Sequence, residues 1–124
     1  MPSRSGDSLA VERWEVQVRK GVLELVVLAA LWSGRLYGLE LIRRLEKDAK
    51  LSVPEGTLYP LLSRLLADGQ LDAEWVEADA GHPRKYYKLT PEGRRRAVQM
   101  TRFWHEFTSS IDEILAPVPV EYKR

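Results

Sequence analysis

The chain has 124 residues, enough for one domain with a modest core and too few for two ordinary ones. Hydrophobic residues make up 44% and charged residues 30%, a globular balance, and a net charge of +1 says nothing about nucleic acid by itself. The absence of cysteine excludes disulfides and thiolate metal sites and suits a reducing cytoplasm.

The first residues, MPSRSGD, read as a disordered lead with no secretory signal. From Ser8 the pattern turns helical, with Leu9, Val11, Trp14, Val16 and Val18 among charges. Val22–Leu31 is apolar on nearly all sides and should be buried all round, with Ser33-Gly34 as the stop. Glu24 interrupts this run, which is far below the ~20 residues of a membrane span, so no membrane partner is expected. A second helix is expected from Leu36 to about Asp48, with Leu39, Ile42 and Leu45 on one face. Ser52-Val-Pro-Glu55 has the form of a capping box and starts a third helix at about Val53, which Asp68-Gly69 ends. The period then changes to alternation, giving a hairpin of residues 71–77 against 84–89 around the turn Asp79–Pro83. Thr90 as N-cap and Pro91 at the first position open a last helix that runs to about Leu115, where Pro117 and Pro119 prevent continuation.

This order predicts a mainly α fold with a small β-hairpin: a winged helix-turn-helix plus a long C-terminal dimerisation helix. The expected divisions are an extension over 1–19, a DNA-binding domain over 20–90, the dimerisation helix over 91–115 and a tail over 116–124.

At 100° per residue, Leu58, Leu61, Leu62, Leu65 and Leu66 of the third helix share the core sector. The opposite stripe is Gly56, Pro60, Ser63 and Ala67, all small or compact, with Tyr59 on one flank and Thr57 and Arg64 on the other. A solvated face normally carries Lys and Glu. A compact face lets the helix enter a major groove, about 12 Å wide, where Thr57, Tyr59, Ser63 and Arg64 reach phosphates or base edges. Pro60 removes one helical hydrogen bond and can bend the helix there. Packing of the stripe against another helix is the competing explanation.

Charges in the second half are sorted. Asp68, Asp72, Glu74, Glu77 and Asp79 precede the turn; Arg84, Lys85, Lys88, Arg94, Arg95, Arg96 and Arg102 follow it. The turn residues His82, Arg84 and Lys85 form a basic tip suited to phosphate. Cross-strand pairing accounts for Lys88 and one arginine only. In the last helix Ala97, Met100, Trp104, Phe107, Ile111 and Ile114 follow a 3-4-3-4-3 heptad spacing. Left exposed, that seam is a larger apolar patch than monomers carry, so a homodimer is expected, joined by Val11, Trp14 and Val18 of the first helix. Trp104, with Phe107 and Trp14 near it, is a candidate wall for a flat aromatic ligand, although such a tryptophan is more often plain core.

Four stretches in this order resemble the PadR family of bacterial transcriptional regulators: KGVLELVVLAAL, LYGLELIRRL, GTLYPLLSRLLADG and GHPRKYYKLTPEG. The resemblance spans Lys20 to about Arg96. It implies a winged-helix dimer, usually a repressor, on palindromic double-stranded DNA, with Tyr59 in the family's GTLYP tyrosine position and Arg84 and Lys85 in its basic wing positions. The chain is similar to the smaller branch with one C-terminal helix, some of whose members hold flat drug-like molecules between paired tryptophans; Trp104 takes the matching place. Three positions depart from the pattern: His82 for a frequent arginine, which implies a weaker or pH-sensitive wing, Leu39 for an aromatic, and Gln70 for an apolar residue.

An enzyme is not expected. There are two histidines, His82 and His105, and no phosphate loop, nucleophile motif, metal-ligand spacing or cofactor signature. The rival function is a winged-helix module that binds protein and not DNA. It predicts that substituting Arg64, Arg84 or Lys85 leaves activity intact and salt dependence shallow.

Overall fold

A computed structural model describes residues 6–77 and 81–121, without the side chains of residues 6 and 7. The elements are α1 (Gly6–Ala30), β1 (Leu36–Tyr37), α2 (Gly38–Ala49), α3 (Glu55–Ala67), β2 (Leu71–Glu77), β3 (Pro83–Leu89) and α4 (Pro91–Leu115). Helices dominate, and a small antiparallel sheet runs β1-β3-β2. The fold is a winged helix-turn-helix followed by one long helix. The start of the lead (residues 1–5), the centre of the wing turn (78–80) and the last three residues lie outside the described residues.

The hairpin has the expected register, from Leu71 opposite Leu89 to Glu77 opposite Pro83. A third strand adds to it. Leu36 pairs with Tyr87 and Tyr37 with Tyr86, so α2 starts at Gly38 and not at Leu36. Two residues are too few for alternation to show, and the pairing is held by an edge-on contact of Tyr37 and Tyr86 at 5.5 Å. The backbone N–H of Tyr37 donates to Glu40 Oε1 at 3.2 Å, closing the first turn of α2.

The capping box expected at Ser52–Glu55 is not formed. Helix α3 begins two residues later than expected, with Pro54 as an extended N-cap and no side-chain cap bond. Leu51 and Val53 are buried, and that anchoring keeps the chain extended up to Pro54. Lys50, in a left-handed conformation with φ 56°, turns the chain out of α2.

The core joins Val27, Leu28 and Leu31 of α1 to Leu41 and Leu45 of α2, Leu58, Leu62 and Leu65 of α3, Leu71, Tyr87 and Leu89 of the sheet, and Ala97 of α4. Burial at ~25 cal/mol per Å² of apolar surface makes this cluster the main stabilising term. Leu61 and Leu66 lie half-buried at its margin. The expectation of all-round burial for Val22–Leu31 fails in its first half: Val22, Leu23, Leu25 and Val26 are only partly covered, and Ala29 is exposed. One helix runs unbroken across residues 19 and 20, and its Leu9, Val11, Trp14, Val16 and Val18 are exposed.

The joint between β3 and α4 is a single residue. Thr90 Oγ1 accepts from the Gly93 N–H at 3.0 Å and donates to the Gly69 carbonyl at 2.6 Å, while the Thr90 N–H donates to the Gln70 carbonyl at 3.1 Å. Gly93 passes so close that a Cβ there would lie 2.0 Å from the Gln70 carbonyl oxygen. Gln70 itself is buried; its Nε2 donates to the Asp68 carbonyl, and its Oε1 has no partner among the described residues.

Candidate nucleic-acid interface

The compact stripe of α3 faces outward: Gly56, Pro60, Ser63 and Ala67 are all exposed while the leucines opposite fill the core. Among the described residues no neighbouring helix covers it, so within them the packing explanation for its small residues does not hold. Pro60 sits inside a helix that continues on both sides of it.

Each flank of the stripe opens into a recess. On one side Tyr59 shares a concavity of about 520 Å³ with Tyr37, Gly38, Leu39, Trp75, Arg84, Lys85 and Tyr87. The Tyr59 ring lies over Gly38, where a Cβ would come within 2.2 Å of the phenol oxygen. That close approach is possible only over glycine, and it fixes the tyrosine against the start of α2. The structure thus brings together Tyr59 of α3 and the wing cations Arg84 and Lys85. On the other side Thr57, Pro60 and Arg64 border a recess of about 450 Å³ with Lys20, Leu23, Glu24 and Leu61. Ser63 is exposed on the stripe between them. His82 is exposed beside the undescribed part of the turn and joins neither recess.

Among the described residues the wing cations are held by aromatic rings and not by carboxylates. The Arg84 guanidinium stands 4.6 Å from the Tyr37 ring centre. Arg35 stands 4.6 Å from that of Tyr86, which meets Tyr37 edge-on. Lys85 Nζ is 5.9 Å from the Trp75 ring centre and 5.6 Å from that of Tyr87. Ring faces attract cations without neutralising them. Arg84 and Lys85 form no ion pair among the described residues, so their charge stays available to an anion. Burial raises the Tyr87 hydroxyl above the usual phenol range, with Tyr59 adding to the effect, so Tyr87 stays neutral beside Lys85. Sequence reasoning missed Arg35, Tyr37, Trp75 and Tyr86 as parts of this arrangement. The alternation of cationic and aromatic side chains in RKYYK, facing RLY, was the available signal.

Several other cations are engaged within the fold. Arg64 Nη2 donates to Glu24 Oε1 at 2.6 Å, with Asp68 at 3.7 Å. That hydrogen bond, then the attraction of Glu24 and Asp68, raises the guanidinium further above its ordinary value. Arg94 packs on Trp32 at 4.8 Å, Arg95 pairs with Glu92, and Arg96 reaches Glu24 at 3.4 Å. Within the arginine run that begins α4, Arg96 thus ties α4 to α1, Arg94 packs on the turn after α1, and Arg95 pairs within α4 itself. Lys88 lies opposite Asp72 across the sheet, and Glu74 pairs with Arg35 at 2.5 Å.

The seam of α4 lies mostly in the open. Met100 and Ile111 are half-buried, whereas Phe103, Trp104, Phe107, Ile114 and Leu115 are exposed. Between α1 and α4 runs an apolar groove of about 490 Å³, walled by Met100, Phe103, Trp104 and Phe107 against Val18, Val22 and Leu25. Phe103 and Phe107 stack at 5.2 Å. Val11 and Trp14 are exposed nearer the start of α1, and Trp14, 64% exposed, does not line this groove. Among the described residues no helix is long and apolar enough to cross a membrane, and no group of His, Asp or Glu is arranged to hold a metal.

The sequence profile of the transcriptional regulator PadR-like family matches residues 27–99, which is α1 from its buried half through the wing and into α4. The chain belongs to the PadR-like family. A PadR-like transcription factor from Bacteroides fragilis is 42% identical, with 82% of this chain and 98% of that one superposed at a TM-score of 0.68. A PadR family regulator from Eggerthella lenta is 32% identical over 90% of this chain and 94% of its own, at a TM-score of 0.77. A transcriptional regulator from Mycobacterium tuberculosis is 30% identical over 95 residues, covering 77% of this chain and 87% of its length. PadR-like proteins are DNA-binding transcriptional regulators and not enzymes. The recess that joins Tyr59 to Arg84 and Lys85, and the stripe beside it, are accordingly the candidate DNA-reading surface of this member.

Proposed function

We propose that this PadR-like chain is a sequence-specific repressor that acts in the cytoplasm as a homodimer on a palindromic operator, and that a flat aromatic effector releases it. The observation that carries the reading is the uncovered compact stripe of α3 between Tyr59 with the wing cations on one side and Thr57 with Arg64 on the other. Residues 20–90 form the reading unit and 91–115 the pairing helix, with the first nineteen residues adding Val11 and Trp14 to the interface. Arg84, Lys85 and His82 follow the phosphates beside the groove that α3 enters. Pairing is supported by the open seam of Met100, Trp104, Phe107, Ile111 and Ile114, since soluble monomers rarely leave so large an apolar face uncovered. The two reading helices must then meet successive major grooves ~34 Å apart, and α4, with 25 residues, is ~37 Å long. The groove walled by Trp104 and Phe107 is of a size for a small flat molecule.

The decisive test is recovery of sheared host genomic DNA by the purified protein near physiological salt, followed by sequencing. A few enriched fragments that share an inverted repeat support the reading. Diffuse recovery that vanishes with modest added salt sinks it and favours a protein-binding module. For the effector, planar aromatic compounds should quench tryptophan emission, and Trp104→Ala should abolish the quench in protein that still sediments as a dimer. Equal quenching in that variant would move the ligand site elsewhere.

A further inference from the structure

Glu24 stands where three helices meet. It lies on α1, its side chain is 22% exposed, and it accepts from Arg64 of α3 through Oε1 at 2.6 Å. Its other oxygen, Oε2, accepts from Arg96 of α4 at 3.4 Å. Glu24 is the residue whose carboxylate interrupts the apolar run of α1, and its neighbour Leu25 lines the groove between α1 and α4. Arg64 borders the stripe on the flank opposite the wing, 52% exposed. It differs from Arg84 and Lys85 in one respect that matters for DNA. Among the described residues those two rest on rings and pair with no carboxylate, whereas Arg64 is tied to a carboxylate at full hydrogen-bonding distance.

We propose that Glu24 is a positioning residue for DNA recognition: it restrains Arg64, withholding it from indiscriminate phosphate contact, and shares that restraint with the pairing helix through Arg96. The inference rests on α3 being the DNA-reading helix. A guanidinium presents its donors in a rigid fork, so the Glu24 bond fixes the direction in which the remaining donors point. A phosphate approaching at random must compete with Glu24 for the same cation. A groove entered in register meets the donors that Glu24 leaves free. Since Arg96 uses the second oxygen, any displacement of α4 relative to α1 changes how firmly Arg64 is held.

The test is the salt dependence of binding to a random-sequence duplex, followed by fluorescence anisotropy on the full chain between about 50 and 200 mM salt. Each phosphate contact contributes a slope of about −0.9 in log K against log salt. Glu24→Gln keeps the shape and removes the charge. It should steepen the slope by about 0.9 more in the wild-type background than in an Arg64→Gln background. The second background absorbs the general loss of a negative charge and the release of Arg96. Glu24→Asp keeps the charge but shortens the reach, so it should also steepen the slope, by less; a pure field effect would leave it unchanged. Circular dichroism melting of each variant establishes that it folds. Equal slope changes in the two backgrounds would overturn the role of Glu24. The Arg84→Ala/Lys85→Ala variant tells that failure from failure of the DNA reading. If it loses about 1.8 in slope and Arg64→Gln alone loses about 0.9, the wing and α3 both contact phosphate and only the restraint is wrong. If neither it nor the Glu24 variants change the slope, the DNA reading falls and the inference with it.

Discussion

Two glycines carry close approaches of opposite consequence. At Gly93 the obstacle to a Cβ is backbone, the Gln70 carbonyl at 2.0 Å, within the joint that fastens α4 to the sheet. Gly93→Ala should therefore destabilise the fold by about 1–3 kcal/mol, as overpacking does, measured by urea unfolding. At Gly38 the obstacle is the far end of Tyr59, which can swing away. Gly38→Ala should cost less stability than Gly93→Ala but weaken DNA binding, because Tyr59 leaves its place beside the wing. A DNA affinity unchanged in Gly38→Ala would show that Tyr59 does no reading. Glu74 gives a pH signature. Its hydrogen bond from Arg35 holds the carboxyl below the usual range, with desolvation opposing and the charges of Arg35 and Lys88 assisting. A carboxyl lowered in the folded state stabilises above its unfolded value of about 4.3 and loses that contribution as pH falls through the folded one. Both partners are exposed, so the effect is small. Glu74→Gln should melt slightly below wild type at neutral pH and coincide with it in acid; a gap that persists in acid would mean the pair does not act through charge.

At the scale of elements, what was legible depended on the length of each signal. The leucine sector of α3, the alternation of β2 and β3, and the Thr90-Pro91 start of α4 are patterns of many residues or of well-defined cap chemistry, and the structure has them. Strand β1 was hidden because two residues have no period, and because its partner Tyr86 is distant in sequence. The false capping box at Ser52–Glu55 shows the other limit. A local motif yields when burial of Leu51 and Val53 dictates where the chain can turn. Ser52→Ala should thus change stability by less than about 0.5 kcal/mol, while Thr90→Ala, which removes a real cap, should cost about 1 kcal/mol. Thermal melts of the pair decide it, and comparable losses would mean that Ser52 caps α3 after all. The candidate surface was half legible. The stripe and the wing cations lay in the pattern. The rings under Arg84 and Lys85 follow from the register of the sheet and were signalled only by the alternation in RKYYK, whereas the carboxylate on Arg64 is a tertiary contact between α1 and α3 that no spacing encodes.

At the scale of the whole molecule the long helices leave their apolar faces uncovered. Phe103, Phe107 and Ile114 of α4 are 62%, 48% and 78% exposed, an arrangement that a lone chain in water disfavours. In the proposed dimer Phe107→Asp places a charge in the middle of the seam. Sedimentation equilibrium should then find a monomer, with melting lowered and no longer dependent on protein concentration. A dimer that survives this change would mean that the seam is not the interface.

The one-residue joint at Thr90 has a further consequence. With no linker between β3 and α4, and with that joint bonded to Gly69, Gln70 and Gly93, the wing cannot swing independently of the helix behind it. Two such units paired through α4 would act as callipers set to one gap. A base pair inserted between half-sites turns one of them by about 34° around the duplex, since a helical turn takes 10–10.5 base pairs. A regulator with a supple joint could follow that rotation. This one would have to bend the DNA or release a half-site, and so would read the spacing between two half-sites as strictly as the bases within them.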